Sequence, residues 1–116
     1  MFQFPISARL YKKDHYQRVF SKPTTRYVGQ NLLILAKTSL TDTSRLGIIV
    51  AKKHVQKSTQ RNKIKRLIRE HFRCVKLHTY LDLVVLIRTE IKTIDEKSFR
   101  DELIQAWLKL ESRYSK

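Results

Sequence analysis

Cysteine occurs once, at Cys74, which excludes a disulfide within the chain and a cysteine-rich zinc site; the residue reads as a small apolar group on a helix. Glycine and proline occur twice each, too few for a glycine-rich phosphate loop or a flexible linker between domains. No apolar run approaches the ~20 residues of a membrane-spanning helix, and Met1-Phe2-Gln3-Phe4-Pro5 lacks the long apolar stretch of a signal peptide. A single cytoplasmic domain covering residues 1–116 is the expectation.

Acidic residues are scarce as well: 10 Asp and Glu stand against 25 Lys and Arg, a formal net charge of +15. A nuclease centre made of protein needs clustered carboxylates for metal ions or a histidine acid–base pair, and the sequence offers neither. Asp95, Glu96, Asp101 and Glu102 gather around the start of the last predicted helix, where capping and the helix dipole account for them. His15, His54, His71 and His78 have no zinc-ligand spacing. What is abundant is positive charge. A domain this basic points to a polyanion partner, with an affinity that falls steeply as salt rises because phosphate neutralisation releases counterions.

The apolar pattern resolves into elements. Tyr16, Val19 and Phe20 recur at helical spacing between Lys13 and Phe20, with Asp14 near the start. Asn31 to Lys37 reads as a buried strand, Thr41 to Ser44 as a turn and Leu46 to Ala51 as a β-branched strand, so these two strands are expected to form a hairpin. A further short strand fits Arg26 to Val28. From Ser58 to about His78 the period is helical: Ile64, Leu67, Ile68, His71, Phe72, Cys74 and Val75 share one side, and Lys65, Arg66, Arg69, Arg73 and Lys76 the other. Leu83 to Arg88 is the last strand. Thr93-Ile94-Asp95-Glu96 has capping-box spacing, and the helix that follows places Phe99, Leu103, Trp107 and Leu110 on one face. The fold class is α+β, a sandwich of helices over a small mixed sheet in the order α-β-β-β-α-β-α.

The densest chemical signal is Arg45-Leu46-Gly47 leading through a strand to Lys52-Lys53, followed by the helix bearing Arg61, Asn62, Lys63, Lys65, Arg66, Arg69 and Arg73. Guanidinium forks hold two phosphate oxygens at once, and an asparagine donates to phosphate or accepts from sugar hydroxyls. The ordinary explanation of such a helix is a solvated charged face. It is weakened here because Glu70 is the only acid among residues 57–76, and like charges four apart repel. The arrangement reads as a rail for folded RNA.

These residues resemble the bacterial ribonuclease P protein family. Arg9-Leu10, Tyr16, Val19-Phe20, Arg45-x-Gly47, Lys52-Lys53, Arg61-Asn62, Lys65 to Glu70 and Phe72-Arg73 fall in that family's order and approximate spacing over nearly the whole chain. Lys63 departs from it, standing where the second arginine of an Arg-Asn-Arg motif is usual; Tyr16 stands where phenylalanine is common. The resemblance implies a fold like the second domain of ribosomal protein S5, with a left-handed strand-helix-strand crossover. It implies a ribonucleoprotein in which a catalytic RNA cuts the 5′ leader from precursor tRNA with bound Mg2+, without an organic cofactor or another protein. It also implies a cleft between the basic helix and the sheet that holds the single-stranded leader near Tyr16, Phe20, Lys52 and Lys53, with Arg9 and Arg45 as further candidates. Tyr16 leans to that cleft, because a phenol tolerates a wet boundary, and Phe20 to the core.

Two other classes fit the charge and size: a ribosomal-type structural RNA-binding protein, and a DNA-binding protein inserting residues 58–76 into a major groove. The linked Arg45-x-Gly47, Lys52-Lys53 and Arg61-Asn62 segments separate the family from the first. The second calls for a dimer seam or another reading element, which the sequence does not offer.

Overall fold

Apolar strands and amphipathic helices build a four-stranded sheet with helices on both faces. The computed structural model describes residues 13–40, 43–74 and 80–114. Helix α1 (Lys13–Ser21) is followed by β1 (Thr25–Val28), β2 (Leu32–Thr38), β3 (Arg45–Ile49), α2 (Ser58–Cys74), β4 (Leu81–Ile87) and α3 (Glu96–Tyr114). The sheet order is β1-β2-β4-β3, antiparallel except for the parallel β3–β4 pair.

That order overturns the expected hairpin of β2 with β3. Strand β4 lies between them, pairing Thr38 with Leu81 on one side and Leu46 with Leu83 on the other. The physical reason is the strand's composition: six of its seven residues are buried, so it belongs at the centre of a sheet covered on both faces. The hairpin that does form is β1–β2, closed by a hydrogen bond from Gly29 N–H to Leu32 O. Strand β4 also begins two residues earlier than the apolar run suggested, taking in Asp82. The cap of α3 is Asp95, which accepts from the Ser98 N–H, rather than the Thr93 box. The expected extension of α2 to His78 lies outside the described residues.

On one face of the sheet, Leu32, Ile34, Leu83 and Val85 pack with Ile64, Leu67 and Ile68 of α2 and with Phe99, Leu103, Trp107 and Leu110 of α3. On the other, Val19 of α1 packs on Leu35 and Val84. A latch fixes α3 to the β1–β2 turn: Glu102 accepts from the Asn31 N–H and Nδ2 at 2.9 and 3.0 Å. A methyl group at Gly29 would come within 2.7 Å of Glu102 Oε2, so only glycine leaves the latch room.

The tie between α1 and the sheet is electrostatic. Asp82 has no exposed surface. Arg45, its neighbour across the β3–β4 ladder, grips it through Nε and Nη2 at 2.9 Å each, and Arg18 of α1 adds Nη1 at 2.9 Å. The second Arg18 nitrogen donates to Thr38 O, and Arg45 Nη1 donates to His15 Nε2 at 3.3 Å. A buried carboxylate is tolerable only with this degree of hydrogen bonding and compensating charge.

Where α2 meets α3, His71 stacks flat on Trp107, with ring centroids 5.7 Å apart and planes inclined by 9°. Burial lowers the His71 pKa, favouring the neutral ring in the folded state.

Asp82→Ala, which leaves two arginines without their buried partner, is expected to cost about 3 kcal/mol or more in urea unfolding. Because the folded-state pKa of His71 is depressed, its contribution is fully present above the unfolded value near 6.5 and is lost as pH falls below it. His71→Phe should therefore flatten the loss of stability measured between pH 7.5 and 5.5; an unchanged pH slope would place its cause elsewhere.

Candidate nucleic-acid interface

Helix α2 presents its charges in two lines. With ~100° per residue, Asn62, Lys65, Arg69 and Arg73 fall along one flank, and Lys63, Arg66 and Glu70 along the other. Contacts orient both flanks. Lys63 Nζ and Arg66 Nη2 lie 3.5 and 3.8 Å from Glu96 Oε1, so the second flank faces α3. Arg69 is near enough to Tyr16 of α1 for its charge to act on the phenol, so Arg69 lies on the Tyr16 side of the helix. The repulsion expected from the sequence took account of ion pairs within α2 only; across helices, Glu96 of α3 partly balances Lys63 and Arg66.

Arg61 has a different role from its neighbours. Its Nη1 donates to Val55 O at 2.9 Å and Gln56 O at 2.7 Å, tying down the chain that enters α2. Lys52 and Lys53 are exposed in the turn that opens that same connection.

Tyr16 is where α1, β3 and α2 converge. Its ring lies against Gly47, where a Cβ would come within 2.6 Å of Cε1 and 2.8 Å of the hydroxyl, so the glycine is the seat for the ring. Burial raises the phenol pKa, opposed by a backbone hydrogen bond with Ile48 and by the charge of Arg69. A hydrogen bond that lowers a phenol pKa comes from a donor, which identifies the Ile48 N–H on the open edge of the sheet.

Three sequence expectations change. Phe20, a candidate for the leader cleft with a lean to the core, is not core: it is 41% exposed, on the outer side of α1 beside Gln17 and Ser21. Arg45, offered as a leader contact, is committed to Asp82. A cleft between α2 and the sheet does not exist along the packed face, because Ile64, Leu67 and Ile68 fill it; Tyr16 packs on the opposite face of the sheet, and Phe20 is on the same helix, α1. Arg9 and the side chain of Cys74 lie outside the described residues.

Among the described residues, the less covered surface of the sheet is on the α1 side. A 9-residue helix is ~14 Å long, whereas the 7-residue strands β2 and β4 run ~23 Å. Beyond α1, Val28, Leu33, Leu86 and Ile49 line up in register across all four strands, half-buried except for the exposed Val28. Sequence reasoning missed this row. Its signal was the apolar run in β2 and β4, which says that both faces are apolar, while among the described residues the second face is covered by one helix shorter than those strands.

Among the described residues, no three His, Cys, Asp or Glu side chains group to hold a metal ion, and no helix is long and apolar enough to cross a membrane. The Ribonuclease P family model matches residues 4–111. The chain belongs to the ribonuclease P protein family. It is 37% identical over 111 residues to the ribonuclease P protein component of Marinobacter nauticus, covering 96% of this chain and 84% of that one. The Staphylococcus aureus RNase P protein superimposes with a TM-score of 0.79 at 29% identity, covering 93% of this chain and 98% of that one. A mutant of the S. aureus protein with defective mRNA degradation activity gives 0.78 at 30% identity, covering 91% and 89%. The mixed sheet and three helices are thus those of the ribonuclease P protein fold.

Gly47→Ala is expected to unseat Tyr16 and cost about 1–3 kcal/mol in chemical denaturation. Loss of the Tyr16 ring resonances from their folded environment should accompany it in NMR spectra, whereas an undisturbed ring would show that the seat can widen.

Proposed function

We propose that the chain is the protein subunit that binds the catalytic RNA of ribonuclease P and the single-stranded 5′ leader of precursor tRNA. The observation that carries the reading is that Arg69, on the flank shared with Asn62 and Lys65, acts on Tyr16 at the β3 edge, beside the half-buried apolar row. A cationic line suits a phosphate backbone. An aromatic plane and an apolar floor suit unstacked bases, which they accept with little sequence demand. Lys52 and Lys53 extend the positive surface at the end of β3, and the exposed Phe20 offers a further plane on α1.

On this reading the RNA holds the Mg2+ ions and carries out hydrolysis in the cytoplasm, and the protein contributes affinity and placement. The roles within α2 differ. Lys65 and Arg69 touch RNA; Lys63 and Arg66 divide their charge between RNA and Glu96; Arg61 shapes the approach to the helix. The division supports testing RNA contact with Lys65 and Arg69 rather than Arg61, whose loss would also disturb the fold.

Reconstitution tests the reading. Purified protein, a bacterial ribonuclease P RNA and 5′-labelled precursor tRNA are combined at low magnesium, with each component omitted in turn. Leader release at the mature 5′ end should require the RNA and rise strongly with the protein. Correct cleavage by the protein alone would overturn the assignment of chemistry to RNA, and RNA degradation in that arm would reveal an activity like that named for the S. aureus relative. Lys65→Ala and Arg69→Ala should each weaken assembly and reduce the slope of log affinity against log salt by about 0.7–0.9, as expected when one fewer phosphate is neutralised.

A further inference from the structure

Neither the cationic flank nor the apolar row uses a cavity of about 390 Å3 between the chain entering α2 and the chain leaving β4. Gln56 and Lys57 line one side; Glu90, Ile91, Lys92 and Thr93 line the other. The volume lies in the range of small-ligand sites, about 300–1,000 Å3.

Its walls are fixed before any ligand arrives. The Ile91 N–H donates to His54 O at 2.9 Å, and the Ile94 N–H donates to Gln60 Oε1 at 2.9 Å. Arg61 holds the carbonyls of Val55 and Gln56, and the Val55 and Ile94 side chains are buried beneath. The cavity is therefore a joint between two loops that the fold already clamps.

Its charges are uncommitted. Glu90, Lys57 and Lys92 line the same space, yet among the described residues none of the three forms an ion pair. A wall that carries both an acceptor-only carboxylate and two ammonium groups suits a ligand with N–H donors at one end and negative charge at the other.

We propose that this cavity receives one unstacked guanosine nucleotide of a bound RNA, its base edge against Glu90 and its phosphate between Lys57 and Lys92. The proposal rests on the RNA-binding reading above, because the polyanion that Lys52 and Lys53 attract brings the nucleotide to the cavity mouth. Guanine is the base that fits an ionised carboxylate. It presents N1–H and N2–H2 side by side, matching two carboxylate oxygens, whereas uracil flanks its single N–H with carbonyls that a carboxylate repels. Adenine and cytosine offer one amino group each beside an acceptor. Ile91 supplies an apolar contact for the ring, and Gln56 and Thr93 can pair with the remaining polar atoms. Both an unpaired nucleotide of the catalytic RNA and one in the precursor leader present this chemistry.

The first test uses the full-length protein and labelled hexanucleotides, all-uridine or with one central guanosine, followed by fluorescence anisotropy at low salt. The guanosine oligomer should bind at least about fivefold tighter, the discrimination of one modest bidentate pair. Glu90→Gln should remove that preference while leaving the all-uridine affinity within about twofold; Arg69→Ala should weaken both oligomers alike. Equal binding of the two oligomers by the unaltered protein, or a preference that survives Glu90→Gln, overturns the pocket and leaves the RNA-binding reading standing. Failure of both oligomers to bind, together with failure of reconstitution, overturns that reading instead. In the holoenzyme, 6-thioguanosine placed either in the leader or in unpaired positions of the catalytic RNA should crosslink near residues 90–93 from one source, and that source supplies the nucleotide. No crosslink from either would also sink the proposal.

Discussion

A carboxylate with no exposed surface dictates much of the arrangement. Asp82 enters the sheet near the start of its central strand, and water cannot reach it. Its charge has to be met by protein, which requires Arg45 at the matching position of β3 and Arg18 from a helix laid across the sheet. That requirement fixes where α1 lies. With α1 so placed, Tyr16 comes down over Gly47 at the β3 edge, and no other described element covers the rest of the sheet's second face. The proposed binding surface is thus a by-product of neutralising one buried charge.

The second constraint is the repulsion within α2. A helix whose only acid is Glu70 would be strained by its own cations if they pointed the same way. The fold disperses them: one line is set against Glu96, another reaches toward the sheet edge, and Arg61 is engaged by backbone carbonyls. The line that reaches the sheet edge is the one beside Tyr16. Position on the helix, rather than charge alone, separates cations that hold the protein together from those turned toward the open face.

Much of this was legible in the residues. Helical period in α2 and α3, the β-branched run of β3 and the clustering of lysine and arginine indicated the element order and the cationic helix, because burial and repulsion act locally enough to leave a periodic trace. Non-local matters escaped. The pairing partner of β3 depends on a strand over thirty residues later; Asp82 looked like the boundary of an apolar run because its two arginines are distant in sequence. Phe20 and Tyr16 share a helix, and which of them meets the sheet turns on a glycine in another element. The cavity beside Glu90 leaves no sequence pattern, since its two loops are joined by a backbone hydrogen bond that any residue can make and by the Gln60 side chain more than thirty residues from Ile94.

The insertion of β4 between β2 and β3 also sets the order in which the molecule can be made. During synthesis the β1–β2 hairpin and the whole of α2 are translated before Leu81 to Ile87 supply the strand that joins the two halves of the sheet. Until then α2 has no completed floor for Ile64, Leu67 and Ile68, and β3 has no neighbour. Closing the sheet therefore waits on contacts distant along the chain, a route that is intrinsically slow compared with local pairing. In that interval the chain is a basic amphipathic segment with an exposed apolar stripe, emerging at a ribosome made largely of RNA, and its high positive charge works against self-association while favouring nucleic acid as the first surface it meets.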